Sequence, residues 1–119
     1  ATRYLAQIGH EKIAYITFQN NVHYSNTARQ NGYQKAMQEA GLRSQVIQDT
    51  FLPPVTSEQW IEWLYQVLAH ENRPTAFLCY AIEIAWTVIH VAGMSGLSVP
   101  GDLSVMAFRR DEGGWAATQ

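Results

Sequence analysis

Residues 74–108, PTAFLCYAIEIAWTVIHVAGMSGLSVPGDLSVMAF, constrain the fold most, because two short apolar runs flank one helix-length segment there. The first run, 76–79, follows Pro74 and Thr75 and is apolar throughout, the pattern of a strand buried on both faces. Between 82 and 95 the sequence predicts a helix with two apolar stripes, Ala81, Ala85, Val88 and Ala92 on one and Ile82, Trp86, Ile89 and Gly93 on the other. Only one stripe can face a sheet, so the other needs a second cover. Gly96 is suited to the left-handed conformation that ends a helix, Leu97 to folding back on its last turn, and Pro100 to blocking continuation. The run at 103–108 supplies a second buried strand, which completes a β-α-β unit.

The same rhythm extends over the chain. Strands are expected near residues 12, 45, 76 and 103 with a helix between each pair, the signature of right-handed crossovers in a parallel sheet. The expected fold class is therefore α/β, a parallel sheet of about four or five strands with helices on both faces. A first helix over 1–8 buries Leu5 and Ile8 and stops at Gly9. The helix over 26–40 is capped by Ser25, Asn26 or Thr27, and its small residues Ala28, Gly32, Ala36 and Ala40 form a stripe that suits close approach to a sheet, beside Tyr33 and Met37. After a weaker strand at 45–51, Pro53 and Pro54 force a loop. Thr56 and Gln59 have the spacing of a capping box for a helix running to His70, whose core stripe is Trp60, Ile61, Leu64, Val67 and Leu68, with Trp63 and Tyr65 off it. Beyond Phe108 the chain turns polar, and 113–119 is expected to be loosely ordered unless Trp115 finds a pocket.

Composition narrows the function. At 119 residues, 47% hydrophobic and 15% charged, the chain reads as one compact domain, and a formal net charge of −2 provides no basic footprint for nucleic acid. The single cysteine, Cys79, excludes an internal disulfide and lies in an apolar run that favours an inert buried thiol. His10 has no second ligand at a metal-binding spacing, so neither a metal nor another cofactor is expected. No run approaches a membrane span and none reads as a signal peptide, which makes a cytoplasmic protein the default. A glycine-rich phosphate loop and a G-x-S-x-G elbow are both missing, and Glu83 and His90 lie seven apart on one helix, too far for a direct pair. No catalytic residue is assigned and no enzyme activity is expected.

In an open parallel sheet a ligand sits beyond the carboxyl ends of the strands, where strand order reverses. That argument points to the loops at 18–24, 51–54, 80–83 and 109–112, and brings His23 and Tyr80 among the candidate ligand contacts.

Several strings also resemble one family. Gly9-His10-x-x-Ile13-Ala14-x-Ile16, Arg29-x-x-Gly32-Tyr33 followed by Ala36-Met37 and Gly41-Leu42, Pro74-Thr75-Ala76, Gly96-Leu97, and Val99-Pro100-x-Asp102-x-Ser104-Val105 match the wording of LacI/GalR-type transcription regulators. The resemblance implies one Rossmann-like lobe of a type I periplasmic-binding-protein fold spanning 1–119, with the second lobe and the DNA-reading domain absent from this chain. It implies a small-molecule effector, sugar-like or an anionic metabolite, a homodimer using Trp86 and Ile89, DNA contact only through the absent domain, and no membrane. A lobe of a periplasmic sugar-binding protein serving an ABC transporter is the alternative. The family's effector-binding arginine matches Arg29, for which a solvated helix arginine is the other reading. Where the family writes Asn-Asp this chain has Ala81 and Ile82, and where it writes Gly-Phe-Asp-Asp it has Ala107-Phe108-Arg109-Arg110. Acceptors have thus become apolar at two ligand positions and a negative charge has become positive at Arg109, which favours a phosphate or carboxylate over a neutral sugar. A shift of register that brings in Asp111, or a decayed site, stays open as an alternative.

Overall fold

The computed structural model describes residues 2–18, 24–49, 58–109 and 114–118. In chain order the elements are α1 (Thr2–Gln7), β1 (Ile13–Phe18), α2 (Tyr24–Glu39), β2 (Gln45–Asp49), α3 (Glu58–Ala69), β3 (Ala76–Cys79), α4 (Ile82–Met94), β4 (Ser104–Arg109) and β5 (Gly114–Thr118). They form one sheet in the order β2-β1-β3-β4-β5. The first four of these strands are parallel, with Ile16 opposite both Ile47 and Cys79, and Phe77 opposite Val105.

Each face of the sheet carries its own core. Ala14, Ile16, Phe77, Cys79, Val105 and Ala107 point toward α3 and α4, where they meet Trp60, Leu64, Leu68, Ile84, Ala85, Val88, Val91 and Ala92. Ile13, Tyr15, Ala76 and Leu78 point the other way and meet Leu5, Tyr33 and Met37. This is the alternation of side chains along a strand, buried on both sides as an α/β sheet requires. Burying a side chain such as Leu64, which is fully covered, contributes about 1.5–3 kcal/mol. Trp63 stacks on Trp60 with ring centroids 5.1 Å apart. It is packed against the core rather than standing apart from it.

The expected helix end is present in detail. Gly96 has φ 77°, and Leu97 N–H donates to Ala92 C=O over 2.9 Å, folding Leu97 back onto the core. Gly9 and Gly41 likewise end their helices at positive φ. The two stripes of α4 separate as expected. Ala85, Val88 and Ala92 are completely buried, whereas Ile82 and Trp86 are 46% and 59% exposed.

Four expectations need correction. Ile8 is 54% exposed, because Gln7 ends α1 and the following turn carries Ile8 outward. In α2 the small residues Ala28 and Gly32 face solvent, as does Ala40 just past its end, and the inner face is Asn26, Tyr33, Ala36 and Met37. The bulky Tyr33 and Met37 fill the space over the sheet, so small residues are not needed there. Because α2 already begins at Tyr24, Ser25, Asn26 and Thr27 lie inside its first turn rather than ahead of it. Finally, 114–118 is not loose: β5 runs antiparallel to β4, pairing Phe108 with Trp115 and Ala107 with Ala116. The capping box at Thr56 and the proline loop at 53–54 lie outside the described residues.

Candidate functional site

The chain passes from β1 to β2 on one side and then returns to place β3 on the other, so strand order reverses between β1 and β3. Residues following these two strands therefore flank a crevice at their carboxyl ends. Tyr80 directly follows β3, and its N–H donates to Ile16 C=O over 2.9 Å, which extends the sheet ladder by one step. Arg29, one turn into α2, reaches the same spot. Its Nη1 donates to Tyr80 C=O at 3.2 Å, and its Cζ lies 4.9 Å from the Tyr80 ring centroid and 3.0 Å from that of Phe108. Contact with an aromatic face stabilises a guanidinium without cancelling its charge. Tyr80 is fixed at its far end too, with its hydroxyl 3.0 Å from Ser25 Oγ.

A buried polar network supports this arrangement from below. Asn26 Oδ1 accepts from Tyr15 Oη and Thr17 Oγ1, each at 2.8 Å. All three residues are buried, Asn26 at 4% exposure and the other two at none. The network ties the first turn of α2 to the carboxyl half of β1, and so sets where Ser25 and Arg29 stand. Burial pushes the Tyr15 phenol far above its ordinary range, partly offset by the nearby Arg29 charge.

Of the expected ligand contacts, Arg29 and Tyr80 are brought together directly. Ala81 is the half-buried residue preceding α4, in extended conformation, and no side chain caps that helix. Ile82 opens α4 beside it and is exposed. Arg109 ends β4, its backbone opposite Gly114 of β5, while its side chain lies outside the described residues, as does His23. Sequence reasoning missed Ser25, Asn26 and Phe108 as members of this constellation. Asn26 stood out only as a cap candidate, because its two hydroxyl partners come from a different element. Of the two expected interface residues, Trp86 is exposed and Ile89 half-buried.

Arg29 also lines a concavity of about 380 Å³ between α1 and α2, with Arg3 and Lys35 beside it. Arg3 is paired to Glu39 at 2.9 Å. At the opposite end of the sheet, His10 Nδ1 lies 2.8 Å from Thr75 Oγ1 and Nε2 lies 3.0 Å from Ser104 Oγ. This histidine therefore acts as a structural strut. Burial pulls its pKa below the ordinary value. Among the described residues no group of three His, Cys, Asp or Glu side chains gathers to hold a metal ion, and no helix is long and apolar enough to cross a membrane. Cys79 is fully buried, and desolvation raises its thiol far above its ordinary range, in keeping with an inert residue.

Comparison with known proteins agrees with this layout. The model of the periplasmic binding protein-like domain matches residues 2–118. The HTH-type transcriptional repressor PurR of Histophilus somni is 36% identical over 112 residues, which cover 91% of this chain and 32% of that protein. Catabolite control protein A of Priestia megaterium is 30% identical over 110 residues, with the same two coverages of 91% and 32%. Among solved structures, a LacI family transcriptional regulator from Mycobacterium smegmatis superposes with a TM-score of 0.71 at 30% identity, covering 89% of this chain and 39% of that one. The chain spans about a third of the length of these curated relatives. It belongs to the periplasmic binding protein-like domain family, as an effector-binding lobe of the LacI/GalR type of transcription regulator.

Proposed function

We propose that this lobe binds an anionic small-molecule effector at the carboxyl ends of β1 and β3 and reports it by closing against a second lobe. The observation that carries the reading is Arg29. Its guanidinium stands at the point of strand reversal, bonded to the Tyr80 carbonyl and lying against the Tyr80 and Phe108 rings, and brings a positive charge to the crevice. Ala81 and Ile82 add no acceptor for sugar hydroxyls, and α2 and α4 both begin at this end of the sheet, so their positive dipole ends favour a phosphate or carboxylate. Arg109 arrives at the same edge on β4.

Effector binding acts by shifting a population of lobe arrangements, not by chemistry on the ligand. A dimer formed through the outer stripe of α4, with Trp86 and Ile89, transmits that shift to a DNA-reading domain outside this chain. Calorimetry on the full-length protein tests the proposal. A phosphate- or carboxylate-bearing anion should bind, with affinity falling at least tenfold in Arg29→Ala. Tight binding of a neutral monosaccharide, unaffected by Arg109→Ala, overturns it.

A further inference from the structure

The side chain of Tyr80 packs against the core on both faces of the sheet, so its ring lies across the carboxyl ends of the strands where the crevice opens. Both of its ends are anchored. The backbone N–H is bonded to Ile16 and the carbonyl to Arg29, and the phenol oxygen meets Ser25 Oγ at 3.0 Å. The ring is also the face against which the Arg29 guanidinium rests, 4.9 Å away. A half-buried aromatic tied at three points occupies space that a ligand approaching Arg29 must share or clear.

We propose that Tyr80 is the specificity-determining residue of this site, a stopper that admits a compact anion to Arg29 and opposes the organic body of a larger one. The inference rests on the anionic-effector reading above and adds which anions pass. A compact oxyanion needs only the guanidinium edge and the adjoining backbone. A sugar-sized body attached to that oxyanion must fit where the phenol sits, and it enters only by breaking the Ser25 contact and unstacking the ring from Arg29. The anchor of Arg29 does not depend on this ring alone, because Nη1 bonds the backbone carbonyl of residue 80, which every substitution there retains.

Two probes of equal charge type and different bulk make the test, inorganic phosphate and ribose 5-phosphate, titrated calorimetrically into the full-length protein. The readout is the ratio of the two affinities, which a purely structural role for Tyr80 leaves unchanged. The Tyr80→Ala variant should shift that ratio at least tenfold toward ribose 5-phosphate. Ser25→Ala keeps the ring and removes the Ser25 contact of the phenol, and should shift it in the same direction by less, which preserves the test if the alanine variant at position 80 does not fold. Both anions binding through Arg29 with an unchanged ratio in the two variants refutes the stopper and leaves the anionic effector standing. Binding of neither anion to any of these proteins refutes both.

Discussion

Replacing Asn26 by alanine removes the acceptor shared by Tyr15 Oη and Thr17 Oγ1, each 2.8 Å away and fully buried. A buried donor left without its acceptor costs about 1–3 kcal/mol, so the loss of two such bonds puts Asn26→Ala at roughly 2–6 kcal/mol. At 119 residues the unfolding entropy is about 250 cal/mol/K, so each kcal/mol lowers Tm by about 4 °C. The expected drop is therefore on the order of 8–24 °C in a thermal melt followed by circular dichroism. Tyr15→Phe alone, which removes one donor and leaves Asn26 to Thr17, should cost about 1 kcal/mol. The decisive quantity is the double mutant. Once the Tyr15 hydroxyl is gone it can no longer be orphaned, so Asn26→Ala with Tyr15→Phe should fall short of the sum by about 1–2 kcal/mol. Additive effects to within about 0.3 kcal/mol, at the level seen for independent sites, would show that the two side chains do not form the bond on which the placement of α2 is argued.

Other perturbations bear on separate parts of the molecule. Tyr33→Phe deletes a hydroxyl that donates to Ile13 C=O and accepts from Gln45 N–H at 2.8 Å, joining β1 to β2, and should cost about 1–3 kcal/mol; an unchanged urea midpoint contradicts that role. His10 has a folded-state pKa below its ordinary value, so the unfolded chain takes up the proton first as the medium acidifies. Stability should be fully present above about pH 6.5 and fall as pH drops below it, with a shallower fall in His10→Gln; identical acid limbs remove the strut from the account. Tyr15, Tyr33 and Cys79 are all shifted upward by burial, so stability should decline as pH rises past about 9, where the unfolded thiol ionises, and more steeply past about 10, where the unfolded phenols follow. A flat melting temperature from pH 8 to 11 is incompatible with those groups being buried. Trp86→Ala should convert a dimeric full-length protein toward monomer in sedimentation, since an exposed aromatic at an interface centre dominates its energy; unchanged sedimentation places the interface elsewhere.

The parallel sheet was legible because β1, β3 and β4 are short apolar runs and α1, α2 and α4 each stop at a glycine, all local signals. The carboxyl-end location of Tyr80 was legible too, since topology alone converges those loops, whereas Arg29 was singled out by the family resemblance. Their contact was not, because it depends on a carbonyl 51 residues away meeting a guanidinium. Asn26 was unreadable as a core residue for the same reason: its burial is stabilised by hydroxyls of β1 that no helical pattern displays. The strand β5 escaped because GWAAT has no alternation of its own, and β4 supplies the ladder that makes it a strand. Ile8 and the small stripe of α2 show apolar residues assigned inward by period alone: α1 ends before Ile8, and Tyr33 and Met37 already fill the space over the sheet that α2 covers.

The strut at His10 determines how this sheet can deform. Thr75 N–H donates to Lys12 C=O at 2.9 Å and Ser104 N–H to Thr75 C=O at 2.9 Å, and the imidazole spans Thr75 and Ser104 above them. Three neighbouring strands are thus riveted together at their amino ends, as the ribs of a fan are held at its handle. Any adjustment made to a guest at the crevice is a spreading of the free ends about that rivet. The amides of Thr75 and Ser104 should accordingly exchange with solvent at the same slow rate whether the crevice is empty or occupied, while that of Tyr80 registers the difference.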